Sequence, residues 1–232
     1  MIVVESNFGT NLYHENGHRL IQHPKDVSER INHNDDGKAD KIIAIGSSTG
    51  GTEALLHIFK QLPLEIPGIV VVQHIPENFS KVFAERLNAQ THFSVKEAEP
   101  GDVVESGRIY IAPGDRHMRI KKRGPSIKLE VYKGEKVNGH CPSVDVLFES
   151  VAREVGQKAL GVILTGMGSD GAKGLLSIRE HGGRTIGQDE ASSVVYGMPK
   201  VAYSIGAVEK QASIDTIPAL MMQALFGRIY LQ

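Results

Sequence analysis

Three short runs constrain this chain more than anything else in it: KIIAI (41–45), IVVVQ (69–73) and ALGVIL (159–164). They are apolar almost throughout rather than alternating, so strands formed from them must be covered on both faces. That is the requirement of a parallel sheet sandwiched between helices. A polar or glycine-rich loop and then a helical pattern follow each run, as in 52–61, where Leu55, Leu56 and Phe59 share one side. The predicted fold is a doubly wound α/β sheet, mostly parallel, with helices on both faces. Further helices are predicted near 80–88 with Ser80 as N-cap, over 143–155 and 171–181, and around 214–226. Between the second and third runs the pattern changes. HFSVKEAE, GRIYIAP, HMRIKK and SIKLEVY are short, alternating and separated by Gly and Pro. They predict antiparallel hairpins inserted near the sheet edge.

The first forty residues are of another kind, polar and carrying four of the ten histidines. They predict a linker or disordered tail over 1–40, leaving one domain over 41–232. His14, His18 and His23 have a suggestive spacing, but no cysteine or acidic ligands are organised around them, and no metal site is assigned. A net charge of −1 excludes whole-protein attraction to nucleic acid or to an anionic membrane. No apolar run reaches bilayer length and the N-terminus lacks a signal-peptide pattern. Cys141 stands alone, so no internal disulfide forms, which fits a reducing cytoplasm. A single cysteine of this kind is more often packing than nucleophile.

In open α/β sheets, ligands collect at the carboxyl ends of the strands. Three loops here leave such ends. The first, Gly46-Ser47-Ser48-Thr49-Gly50, fits G-x-S-x-G, where a central serine on a tight strand-to-helix turn projects its hydroxyl above the sheet and glycines permit a strained backbone. Ser48 is then the nucleophile, and Ser47 points away or shapes the turn. A phosphate cradle also fits the glycines and the helix start, though the loop has neither a Gly-Lys-Ser/Thr ending nor G-x-G-x-x-G. A plain turn is the third reading, and the pentapeptide alone leaves all three open. In the second loop, His74 follows IVVVQ and arrives on the same rim as a possible base; His57, His92 and His181 fall on helix or strand patterns. In the third, TGMGSDG, Asp170 is either the acid that orients such a base or an N-cap for the next helix. That loop also reads as a dinucleotide fingerprint, with Asp189 and Glu190 beyond it. A fingerprint two-thirds of the way along the chain would leave the first two loops unexplained, whereas a Ser/His/Asp set uses all three.

These stretches carry a resemblance. IGSSTGGTEAL, VVQHIPENFS, FAERLN, VKEAEPGD, YIAPGDRHM, PSVDVLFESVA, GVILTGMGSDGAKGL and EASSVVYGMPK resemble the catalytic domain of the chemotaxis protein-glutamate methylesterases, the CheB family, from about residue 41 to the last helix. The resemblance implies a cofactor-free serine hydrolase acting on glutamate γ-methyl esters of methyl-accepting chemoreceptor cytoplasmic helices, with deamidation of receptor glutamines. It implies Ser48 as nucleophile, His74 as base and Asp170 as orienting acid, with backbone N–H groups of Thr49 and Met167 as the oxyanion hole. Members of the family usually begin with a phosphoacceptor receiver domain, which forty polar residues cannot form. The receiver is therefore expected to be missing or separate, and phosphorylation control is not carried over. Arg119, Lys121 and Arg123, on one face of a predicted hairpin strand, read as a charge-protected edge or, alternatively, as a docking patch for an acidic receptor helix.

Overall fold

The computed structural model describes residues 41–227, so the expected 1–40 tail and His14, His18 and His23 lie outside the described residues. The chain enters through β1 (Ile42–Ser47), then α1 (Gly51–Gln61), β2 (Gly68–Gln73), α2 (Glu77–Gln90), β3 (Ser94–Glu97) and β4 (Arg108–Ile111). A hairpin of β5 (His117–Arg123) and β6 (Ser126–Tyr132) precedes α3 (Val144–Val155). The rest alternates regularly: β7 (Ala159–Ile163), α4 (Ala172–Glu180), β8 (Arg184–Gln188), α5 (Met198–Ser204), β9 (Lys210–Ala212) and α6 (Ile217–Phe226).

Seven strands form one sheet in the order β3-β4-β2-β1-β7-β8-β9. Every pairing in it is parallel. The three apolar runs are its centre, and β1 and β2 are buried at every position. Their residues alternate between two cores. Ile43 and Ile45 face Leu55 and Phe59 of α1, Phe83 of α2 and Met221 of α6. Ile42 and Ala44 share the other core with Leu147 and Phe148 of α3, Leu175 of α4 and Met198 of α5. The sheet is thus doubly wound, as the unbroken apolar strands require.

Two local expectations change. Of the four segments predicted as antiparallel, only HMRIKK and SIKLEVY pair that way, as β5–β6, a separate two-stranded sheet lying on α3. HFSVKEAE and GRIYIAP supply β3 and β4, which extend the parallel sheet at one edge. Alternation reports burial on one face and says nothing about strand direction. Ser80 does not cap α2, which begins after Pro76. The Ser80 hydroxyl is buried inside the helix instead, donating to Glu97 and accepting the Gly114 N–H.

The predicted basic row lies on the exposed side of β5, but Arg119 pairs with Glu130 at 2.6 Å and Lys121 with Glu154 at 2.8 Å. These internal pairings favour the charge-protected edge over the docking patch. No helix among the described residues is long and apolar enough to cross a membrane.

Candidate active site

Because β2, β1 and β7 are adjacent, the loops that leave their carboxyl ends meet on one rim. The chain winds away from β1 to opposite sides of the sheet here, so the rim is the topological switch point where doubly wound folds bind ligands. The structure thereby places the loops that carry Ser48, His74, Asp170, Thr49 and Met167 on one rim of the sheet.

The serine loop is built from main-chain bonds. Ser48 N–H donates to Thr165 C=O at 3.0 Å, and the Ser48 carbonyl accepts from Gln73 Nε2 at 2.9 Å. Ser47 is fully buried and its hydroxyl donates to Gln73 Oε1 at 2.7 Å, which removes it as a nucleophile. The Ser48 hydroxyl is partly exposed and forms no hydrogen bond to any described residue. The strained elbow expected at the serine is absent. Among non-glycine described residues only Asp115 and Asn138 have positive φ, and the left-handed position of this turn is Gly50, at φ 81°. Gly46 is required for a different reason: a Cβ there would come within 2.2 Å of Val144 at the start of α3.

Asp170 is the centre of the polar network, its side chain wholly buried, and the side chain of His74 is only 8% exposed. His74 Nε2–H donates to Asp170 Oδ2 at 2.8 Å, and Val144 N–H reaches the same oxygen at 2.7 Å. Oδ1 accepts the Ser143 hydroxyl at 2.7 Å and Asn138 Nδ2 at 2.8 Å. Burial alone would raise this carboxyl, but the donors from His74, Asn138, Ser143 and Val144 outweigh it and hold the pKa at about 2. The N-cap alternative fails, since Gly171 occupies the cap position of α4. The dinucleotide alternative leaves unexplained why Asp170 of that loop is bonded to His74, Val144, Ser143 and Asn138.

A stability consequence follows from the depressed pKa. The folded value lies below the ordinary 3.8, so the contribution is complete above about pH 4 and disappears as pH falls through about 2. It amounts to about 2 kcal/mol. Urea unfolding of the wild type at pH 5 and pH 2.5, beside Asp170→Asn, is expected to show a steeper acid loss in the wild type. Equal acid losses would contradict the assignment.

With Nε2 committed to Asp170, Nδ1 is the remaining ring nitrogen of His74, and it is buried without a hydrogen-bond partner. No hydrogen bond joins it to Ser48 Oγ. The N–H groups of Thr49 and Met167 are not engaged by any described residue, and Met167 is 72% exposed. Thr165 ties their two loops together: its hydroxyl donates to the Thr49 carbonyl at 2.9 Å, and its N–H is held by Gln188 at 2.8 Å. Among the described residues no cluster of three or more His, Cys, Asp or Glu could hold a metal ion. Burial pushes the Cys141 thiol up, against a role as a thiolate nucleophile.

Sequence reasoning missed the loop KGEKVNGHCP, 133–142. Val137 and His140 exchange both backbone hydrogen bonds, at 3.0 and 2.9 Å, around Asn138 and Gly139. Both central residues have positive φ, 54° and 81°, making a two-residue type I′ hairpin. The Asn-Gly pair was the available signal. This turn carries Asn138 onto Asp170 and also onto Asp145 Oδ2, at 2.7 Å. Asp145 is a second buried carboxyl, pushed up by burial and by the Asp170 charge despite the Gly174 N–H it accepts. His140 stacks on His74, with ring centroids 3.7 Å apart and planes 6° from parallel.

The CheB methylesterase family model matches residues 43–221. The protein-glutamate methylesterase/protein-glutamine glutaminase 2 of Syntrophomonas wolfei is 57% identical over 176 residues, covering 76% of this chain and 52% of that protein. The protein-glutamate methylesterase/protein-glutamine glutaminase of Salmonella typhi is 49% identical over 184 residues, covering 79% of this chain and 53% of its own. The chain thus spans about half the length of the curated relatives it matches. Among solved structures, the CheB methylesterase catalytic domain of Thermotoga maritima superposes with a TM-score of 0.77 at 40% identity, covering 79% of this chain and 97% of that one.

Proposed function

Because the chain belongs to the CheB methylesterase family, we propose that the rim at the ends of β1, β2 and β7 hydrolyses glutamate γ-methyl esters through Ser48, His74 and Asp170. In this reading residues 41–232 are the catalytic domain, and the polar stretch 1–40, linker or tail, lies outside it. The substrates are methylated cytoplasmic helices of chemoreceptors. The same site deamidates glutamine side chains, with ammonia in place of methanol as the leaving group.

The observation that carries this reading is the division of labour on the His74 ring. Nε2–H is fixed on an ionised, buried Asp170, Nδ1 is left as an unpartnered acceptor, and Ser48, whose hydroxyl bonds to no described residue, leaves the adjacent strand on the same rim. Ser48 Oγ attacks the ester carbonyl as its proton passes to Nδ1. Asp170 fixes the tautomer of the neutral imidazole and stabilises the imidazolium that forms. The tetrahedral oxyanion accepts hydrogen bonds from the N–H groups of Thr49 and Met167, each worth about 3 kcal/mol of barrier. The C–O bond to the methoxy group breaks, His74 gives it the proton, and methanol leaves. Water then attacks the Ser48 ester with His74 again as base, releasing the glutamate carboxylate and restoring the serine.

A fluorophosphonate, which reacts with activated serine hydroxyls, tests the assignment directly. Peptide mapping is expected to place a single adduct on Ser48, lost in His74→Ala. An adduct on Ser47, or equal labelling of His74→Ala, would reject it.

A further inference from the structure

We propose that His140 is a positioning residue for the proton-transfer step: the face of its ring holds the His74 imidazole in the one orientation that keeps Nε2–H on Asp170 and leaves Nδ1 as the base. The inference rests on the reading of His74 as that base.

A histidine ring turns about a broad, roughly two-fold torsion at its root, and one hydrogen bond at Nε2 does not stop it rocking or flipping. Interchange of the two ring edges passes through an orientation perpendicular to the starting plane. Here that path is blocked, because a second flat ring lies 3.7 Å away and within 6° of parallel. Rocking the His74 ring drives an edge into its neighbour, at a distance that is already contact.

The second ring is itself held. His140 closes the type I′ hairpin through both of its backbone bonds to Val137. The Asn138 amide at the hairpin tip donates to Asp170 at 2.8 Å and to Asp145 at 2.7 Å. At the root, His117 of β5 clasps the two sides of the loop. Its Nε2–H donates to Glu135 C=O at 2.8 Å, and its Nδ1 accepts Ser143 N–H at 3.3 Å. The hairpin therefore binds the same carboxylate as His74 and is tied to it through that group. This gives the β5–β6 insertion a role in the site as the anchor of the loop.

Charge is consistent with that role. The groups that act on His140 are His74, Asp170 and Lys136. Burial, followed by His74, lowers its pKa against the opposing pull of Asp170, and Lys136 lowers it further. A lowered pKa favours the neutral form of the stacked ring, the form that sets no like charge against the His74 imidazolium.

The test uses the full chain with His140→Ala, His140→Gln and His140→Phe. The 15N resonances of the His74 ring report its tautomer without any turnover, and kcat and KM on a glutamate γ-methyl ester peptide report the consequence. In the wild type and in His140→Phe, which keeps a flat face, His74 is expected to show one Nε2–H tautomer, with kcat within about threefold of each other. In His140→Ala and His140→Gln the ring signals are expected to average between tautomers, and kcat to fall by about 10- to 100-fold with little change in KM, the scale of an ångström-level misplacement. If Ala does not fold, Gln against Phe decides. A single tautomer in the Ala or Gln variants, or a loss in Phe as deep as theirs, overturns the positioning role. The expected tautomer contrast in a chain that hydrolyses no ester would sink the proposed function and leave this inference standing.

Discussion

Ser48→Ala is expected to lower kcat for glutamate methyl ester hydrolysis by on the order of 10⁶, leaving the residual rate that binding and oxyanion donors supply. The fold should scarcely notice. The bonds that shape the turn at this residue use its own main chain, N–H to Thr165 and C=O from Gln73 Nε2 and Gly51 N–H, and alanine keeps all three. The hydroxyl itself bonds to no described residue, so its removal leaves no buried group unpaired. Urea unfolding should therefore stay within about 0.5 kcal/mol of wild type. Steady-state kinetics and unfolding on one preparation make the check. A variant that keeps a tenth of the rate, or one that loses activity only because it unfolds, would reject Ser48 as nucleophile.

Asp170→Asn should fail in both respects. The rate is expected to fall by about 10⁴, because an amide oxygen can hold the imidazole but cannot stabilise its charge, and an amide N–H facing Nε2 would select the wrong tautomer. Stability falls as well. Donors converge on the two carboxylate oxygens from His74, Val144, Ser143 and Asn138. An asparagine offers one acceptor atom where two stood, and its own N–H₂ meets donors. Each buried donor left without a partner costs about 1–3 kcal/mol. The paired signature is diagnostic: activity lost at constant stability for Ser48→Ala, and both lost for Asp170→Asn. Full stability in Asp170→Asn would contradict the network described above.

The sheet centre was legible because β1, β2 and β7 are apolar on both faces, a pattern with few alternatives at that length. Their adjacency then placed three loops together, so Ser48, His74 and Asp170 could be proposed as a set. The β3 and β4 segments were misread, since the side-chain pattern of a short strand does not report its direction, which is set by the connection between 97 and 108. Ser80 looked like a cap because serine usually is one, yet its hydroxyl is taken by Glu97 and Gly114 from distant parts of the chain. Asn138, His140 and His117 escaped notice for a related reason. A loop without period gives no hint of which carboxylate its tip will reach. Only the Asn-Gly pair announced a turn, and the ring stack depends on long-range packing of the β5–β6 insertion on α3. The strained serine elbow was an analogy to other hydrolases; here Gly50 takes the left-handed position and relieves Ser48 of it.

Methanol release from methyl-esterified chemoreceptor membranes, by the full chain and by Ser48→Ala at matched folded concentration, tests the central claim most directly. The account predicts steady release by the wild type and none above the uncatalysed background by the variant. A folded wild type that releases no methanol, or a variant that matches it, would contradict the assignment of this rim as a glutamate methylesterase site.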